Sequence, residues 1–201
     1  MVSRAIAWIK EDPAGAEFAD VMIQPRRLTA TGTAIGSAPV GYRLDYKLET
    51  LSNFVTSGLL VTARGEGWRR KLDLRRTRAG KWSIRATADG LVALPGPGGE
   101  VADFSEALDC DLGLSPLTNS MPVLRHDLLR GGGPLDLLMA WVSVPDLSVH
   151  ASRQRYTFVR AAAGGAVVRY ESLDSGFTAD ITFDSEGLVI DYPGIGRRMP
   201  S

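Results

Sequence analysis

The chain has 201 residues, 44% hydrophobic and 23% charged, enough to bury a sizeable core in one large domain. Lys and Arg total 23 and Asp and Glu total 23, which argues against a nucleic-acid binder, whose affinity rests on a basic surface. One cysteine, Cys110, excludes an intramolecular disulfide and a multi-cysteine zinc site, and two histidines, His126 and His150, cannot hold a metal alone.

The N-terminus, MVSRAIAWIKEDP, has no long apolar core and no small-residue cleavage site. No run approaches the ~18 apolar residues of a membrane helix, so the expectation is a soluble, cytoplasmic protein. Alternation and turn residues then dominate. RAIAWIK, EFADVMIQ, RLTATGTAI and PVGYRLDYKLE predict strands separated by DPAG, QPRR and GSAP. FVTSGLLVTAR, WRRKLDLRRT and WSIRATADG follow, and in the second of these Trp68, Leu72 and Leu74 alternate with basic residues expected to face water.

The middle changes character. LVALPGPGGEVADF predicts a loop or crossover, FSEALD a short helix, and VLRHDLLR a helix that starts near Pro122 and stops at Gly131–Gly133. Asn119 or Ser120 is the expected cap. Strands resume with LDLLMAWVSVPDL, RQRYTFVRAAA, AVVRYESL, FTADITFD and LVIDYPGI. The fold class is mostly β: a strongly curved antiparallel sheet or incomplete β-barrel with one or two short helices. Residues 1–201 read as a single domain. LETLSNF and YESLDSGF carry a weak echo between about 40–90 and 135–195, which suggests two similar β-rich halves.

No constellation supports catalysis. GPGGEVADF lacks the lysine of a phosphate loop, and Ser115 sits in no strand-to-helix elbow. Ser120, His126 and Asp127 are neighbours that point apart on a helix. Cys110 lies between Asp109 and Asp111, whose charge disfavours a thiolate. An enzyme on this scaffold would use Asp45, His126 or Asp191 as acid or base. The aromatic residues suggest binding instead. Trp8, Tyr42, Tyr46, Trp68, Trp82, Trp141, Tyr156 and Tyr170 are spread over separate strands, and on a curved sheet one face of those strands can line a cavity. The alternative is an ordinary core. A highly curved sheet with few helices has no second layer, so short helices or a ligand must fill its concave side.

DLGLSPLTNSMPVLR (Asp111–Arg125) resembles the signature of a glycolipid-binding family, D-L-x-x-S-P-x-T-N-x-x-P-x-x-R. GYRLDYKLE, AWVSVPDLSV followed by QRYTF, and YESLDSGFTADITFDSEGLVIDYPGIGRR agree in order. The resemblance implies an open, partly closed β-barrel similar to the bacterial lipoprotein carriers. Those carriers are exported, whereas this N-terminus shows no secretory signal. The reading is a non-catalytic protein, without cofactor or metal, that holds a lipid, glycolipid or other amphipathic small molecule in an apolar concavity. Trp8, Tyr42, Tyr46, Trp68, Trp141, Tyr156 and Tyr170 are the expected lining, and Arg125, with Arg197 and Arg198, the expected anchor for an acidic head group. The stretch from Asp109 to Leu128 reads mainly as a corner joining two β-rich halves, with its Pro, Thr and Asn closing turns.

Overall fold

A computed structural model describes residues 1–200. Its strands are β1 (Val2–Lys10), β2 (Gly15–Gln24), β3 (Arg27–Gly36), β4 (Tyr42–Thr50), β5 (Thr56–Gly65), β6 (Trp68–Arg76), β7 (Trp82–Gly90), β8 (Asp109–Leu112), β9 (Leu135–Val142), β10 (Val149–Ala162), β11 (Gly165–Ser172), β12 (Thr178–Asp184), β13 (Val189–Tyr192) and β14 (Gly196–Arg198). They form one sheet in the order β7-β6-β5-β4-β3-β2-β1-β14-β13-β12-β11-β10-β9-β8. The two ends of the chain therefore meet at the middle of the sheet, where β1 pairs with β14. Every pairing is antiparallel except β8 with β9. The curved sheet does not close, and β7 and β8 are its edges.

The order of strands leaves residues 91–108 to carry the chain from one edge to the other. This crossover and the segment after it lie against the concave face. Phe104, Ala107, Leu117 and Met121 enter the same core as Trp8, Leu44, Leu59 and Leu72. Arg70 ties the crossover down. It shares the inward parity of Trp68, Leu72 and Leu74 on β6 and is itself buried, so this basic residue does not face water as expected. Its guanidinium donates to the carbonyls of Leu94, Pro95 and Asp146, which ties the loop backbone to the sheet.

The aromatic residues of the first strands belong to this core. Tyr46 and Tyr42 stand opposite Gly32 and Gly36 on β3, and a Cβ at either glycine would lie 2.3–2.5 Å from the tyrosine ring. The rings thus lie flat on bare backbone, a packing only glycine permits. Trp8 is fully buried, and its indole donates to the Val189 carbonyl at 3.0 Å.

Helix is scarcer than the sequence predicts. FSEALD supplies only the end of a 3-10 turn, Val101–Phe104. The one α-helix, α1 (Ser120–Arg125), stops six residues before Gly131. Asp127 adopts φ 52° and the Leu128 amide donates to the Val123 carbonyl at 3.0 Å, a Schellman closure with aspartate at the left-handed position. Asn119 does not cap α1, because a 3-10 turn at Leu117–Asn119 runs straight into it. DCDL, unassigned by sequence, is β8. The echoing segments end β4 and β11, but their turns differ: Asn53 and Phe54 are left-handed in one, Gly176 in the other.

Cys110 on β8 is 1% exposed, and burial, with Asp109 and Asp111 adding to it, pushes its thiol up to about 12. The native protein is expected to resist iodoacetamide at pH 8 and to label only as it unfolds. Rapid labelling of folded protein would contradict this placement of β8.

Candidate functional site

On β8 the side chains alternate. Cys110 and Leu112 face the first core, while Asp109 and Asp111 face the second half of the sheet. Register carries that second face across β9 and β10: Asp111 stands beside Trp141, and Trp141 beside His150. The Trp141 and His150 rings are 6.1 Å apart. Opposite them, β11 supplies Tyr170 and Ser172, its turn into β12 supplies Asp174, Ser175 and Phe177, the end of β13 supplies Tyr192, and the turn into β14 supplies Ile195. Together with Leu114, Ser115 and Asn119 these residues enclose a cavity of about 510 Å³, within the range of small-ligand sites.

One wall is aromatic. Tyr170 meets Tyr156 edge-to-face at 5.4 Å and Tyr192 at 5.9 Å, and Phe177 lies 6.1 Å from Tyr170. The other wall is polar and comes largely from the signature stretch, in which Asp111, Ser115, Thr118 and Asn119 are each hydrogen-bonded, whereas the buried Ser120 hydroxyl has no partner. The Asp111 carboxylate accepts from Thr118 Oγ1 and Gln154 Nε2, both at 2.7 Å. The Tyr156 hydroxyl lies 2.8 Å from Asn119 Oδ1 and 3.0 Å from Gln154 Oε1, so its single proton is shared between them. Ser115 donates to Glu17 at 2.6 Å, and Glu17 also accepts from Tyr46 at 2.9 Å and pairs with Lys10 at 3.2 Å. Glu17 and Lys10 are both buried on inward positions of β2 and β1.

Arg125 faces Asp109. Its two terminal nitrogens donate to the two carboxylate oxygens, one at 2.7 Å, with both side chains under one-tenth exposed. Its Nε donates to His126 Nε2 at 3.2 Å, and the guanidinium does not reach the cavity wall.

Of the residues expected to line a cavity, Trp141 and Tyr170 do so. Trp8, Tyr42, Tyr46 and Trp68 lie in the first core, and Tyr156 lies beneath the cavity floor in the second. Asp45 pairs with Arg43 and Arg64, and Asp191 with Arg197; neither they nor His126 touch the cavity. Sequence reasoning passed over Asp111, His150, Phe177 and Tyr192 as lining. Phe177 and Tyr192 do fall inside the YESLDSGF and DYPG pieces, which is the signal that marks them.

Burial raises the Asp111 carboxyl above its ordinary value, against the pull of the Thr118 and Gln154 hydrogen bonds. A carboxyl raised on folding stabilises the protein below the unfolded value of 3.8 and loses that contribution as pH rises through the folded value. Wild type should therefore lose stability relative to Asp111→Asn as pH rises above 3.8 in denaturant melts; a difference that is flat or runs the other way would contradict it. Arg125→Ala leaves Asp109 buried without its hydrogen-bonded partner, and should cost about 3–5 kcal/mol in the same melts. A loss under about 1 kcal/mol would mean an exposed, weakly coupled pair.

Comparison with known proteins adds a family to this geometry. The family described as "Putative glycolipid-binding" matches residues 5–198. A comparison with curated proteins gave no match. The chain is similar to the crystal structure of a DUF1089 family protein from Pseudomonas aeruginosa, with 27% identity and a TM-score of 0.69 over 91% of this chain and 92% of that one. The match runs through the curved sheet and the buried signature alike, and the chain belongs to the family of that description, "Putative glycolipid-binding".

Proposed function

We propose that this protein binds an amphiphile, with a glycosylated head group seated in the cavity between β8–β11 and the β13–β14 turn. The observation that carries the reading is the pairing of two unlike walls across one space. Trp141, Tyr170 and Tyr192 offer ring faces to the C–H surface of a sugar. Asp111, Ser152, Ser172 and Asp174 offer acceptors and hydroxyls to its OH groups. Val144, Phe177 and Ile195 supply an apolar rim along which an alkyl chain can leave, each buried methylene contributing roughly 0.8 kcal/mol.

The site is smaller and more polar than a concavity lined by all the strand aromatics. The first half of the sheet has no room, because Phe104, Leu117 and Met121 already fill it. Family membership supports a binding role, and the geometry adds where binding would occur. A hydrolytic reading has one observation in its favour, the buried Asp111 carboxyl on the cavity wall. Incubation with a chromogenic alkyl glycoside separates the two, since Asp111-dependent release of the chromophore would replace the binding reading.

Native mass spectrometry of freshly purified protein should reveal a co-purified amphiphile. Octyl glucoside should also bind saturably with a Kd on the order of micromolar. Trp141→Ala should weaken that binding by about tenfold, roughly 1.4 kcal/mol, with little change in melting. No saturable binding, or equal binding by wild type and variant, would sink the proposal.

A further inference from the structure

At the opposite end of the sheet from the cavity lies a second, basic groove of about 540 Å³. Arg27 opens β3 on one wall, and Arg76 and Arg78 close the β6 side on the other. Three strand spacings of ~4.8 Å separate β3 from β6, so the walls stand roughly 14 Å apart. Two arginine side chains reaching inward from such walls converge on one small group. The turn between β4 and β5 forms the floor, with Ser52 and Asn53 facing the groove.

No carboxylate lines this groove. None of the ion pairs among the described residues involves Arg27, Arg76 or Arg78. The adjacent Arg75, by contrast, pairs with Asp73 and Glu49. Arg76 is also held in place. Its Nε donates to the Ala107 carbonyl at 3.0 Å and its guanidinium lies 6.0 Å from the Trp82 ring centre. That leaves its terminal nitrogens free to donate elsewhere. The floor carries two successive left-handed residues: Asn53 and Phe54 hold φ of 61° and 58°, and the Phe54 amide donates to the Arg26 carbonyl at 3.1 Å. Left-handed backbone at a bulky residue persists where the surroundings enforce it, and it concentrates at ligand clamps.

We propose that this groove is a phosphate site, with Arg27, Arg76 and Arg78 donating to the oxyanion and Ser52 and Asn53 completing its shell. Guanidinium matches phosphate with paired donors; the buried Asp109 lies near enough to feel the charge of Arg76, but Arg27 and Arg78 have no acidic partner, and the set favours a multiply charged ligand. The phosphate can be free in solution or be the head of a lipid; the recognition chemistry is the same.

Calorimetry of the full chain with inorganic phosphate, at low and high salt, tests the first source. Flotation with phosphatidylcholine vesicles, with and without phosphatidic acid, tests the second. Binding should weaken about tenfold or more in Arg27→Ala and in Arg78→Ala, both exposed, and stay unchanged in Arg160→Ala, an exposed residue on β10. Phosphate binding without vesicle retention assigns a free oxyanion, and retention that requires phosphatidic acid assigns a head group. If neither binds, or if Arg27→Ala and Arg78→Ala bind as wild type does, the proposal is wrong.

Discussion

A sheet of fourteen strands curved on itself must bury an inner face that no second sheet covers, and here the chain's own middle covers it. Everything else follows from that constraint. The crossover from β7 to β8 cannot run over solvent, because the apolar inner residues of β1 to β6 need partners. It lies along that face with Phe104 and Ala107 inserted and its other side toward solvent, and Arg70 holds its carbonyls at Leu94 and Pro95. The first half of the concavity is thereby closed as core. The second half is covered less completely, and the space left over is the cavity.

The signature stretch is what holds this arrangement, and its polar residues act as internal fasteners. Ser115 reaches β2 through Glu17, Asp111 and Asn119 reach β10 through Gln154 and Tyr156, and Arg125 reaches back to β8 through Asp109. These contacts join elements from both halves of the sheet. Buried groups of this kind cost free energy unless every partner is present, so they favour one arrangement over its alternatives more than they add stability. Asp111, Ser115 and Asn119 among them also line the cavity. The fastening that places Asp111 and Asn119 thus also sets the shape of the cavity proposed above as the site.

Strand alternation made most of the sheet legible, since one face is buried along nearly every strand. The same alternation held more than was taken from it. Glu17 falls in step with Ala19 and Val21, Lys10 with Ile6 and Trp8, and Arg70 with Leu72 and Leu74. Charges on inward positions announce buried pairs or carbonyl clamps. β8 was illegible because four residues, two of them aspartates, carry no strand pattern, and only the exposed edge of β9 gives them a partner. The helix after Pro122 was overextended because Leu128 satisfies helical spacing, while the chain uses it after a left-handed Asp127. The site was blurred for a different reason. An aromatic residue on a strand looks the same in sequence whether it covers a glycine in the core, as Tyr46 does, or faces open space, as Trp141 does.

The central claim is that residues from Asp109 to Asn119 are part of the core rather than a strap laid over a finished sheet. Native-state hydrogen exchange addresses it directly. The Cys110 amide donates to Thr56 Oγ1 at 3.0 Å and the Gly113 amide to the Val142 carbonyl at 2.8 Å. Both should exchange only through global unfolding, with the same free energy as the central amides of β4 and β5. Exchange of these two amides by local opening, while β4 and β5 stay protected, would show that the sheet stands without its inner segment and would contradict the account.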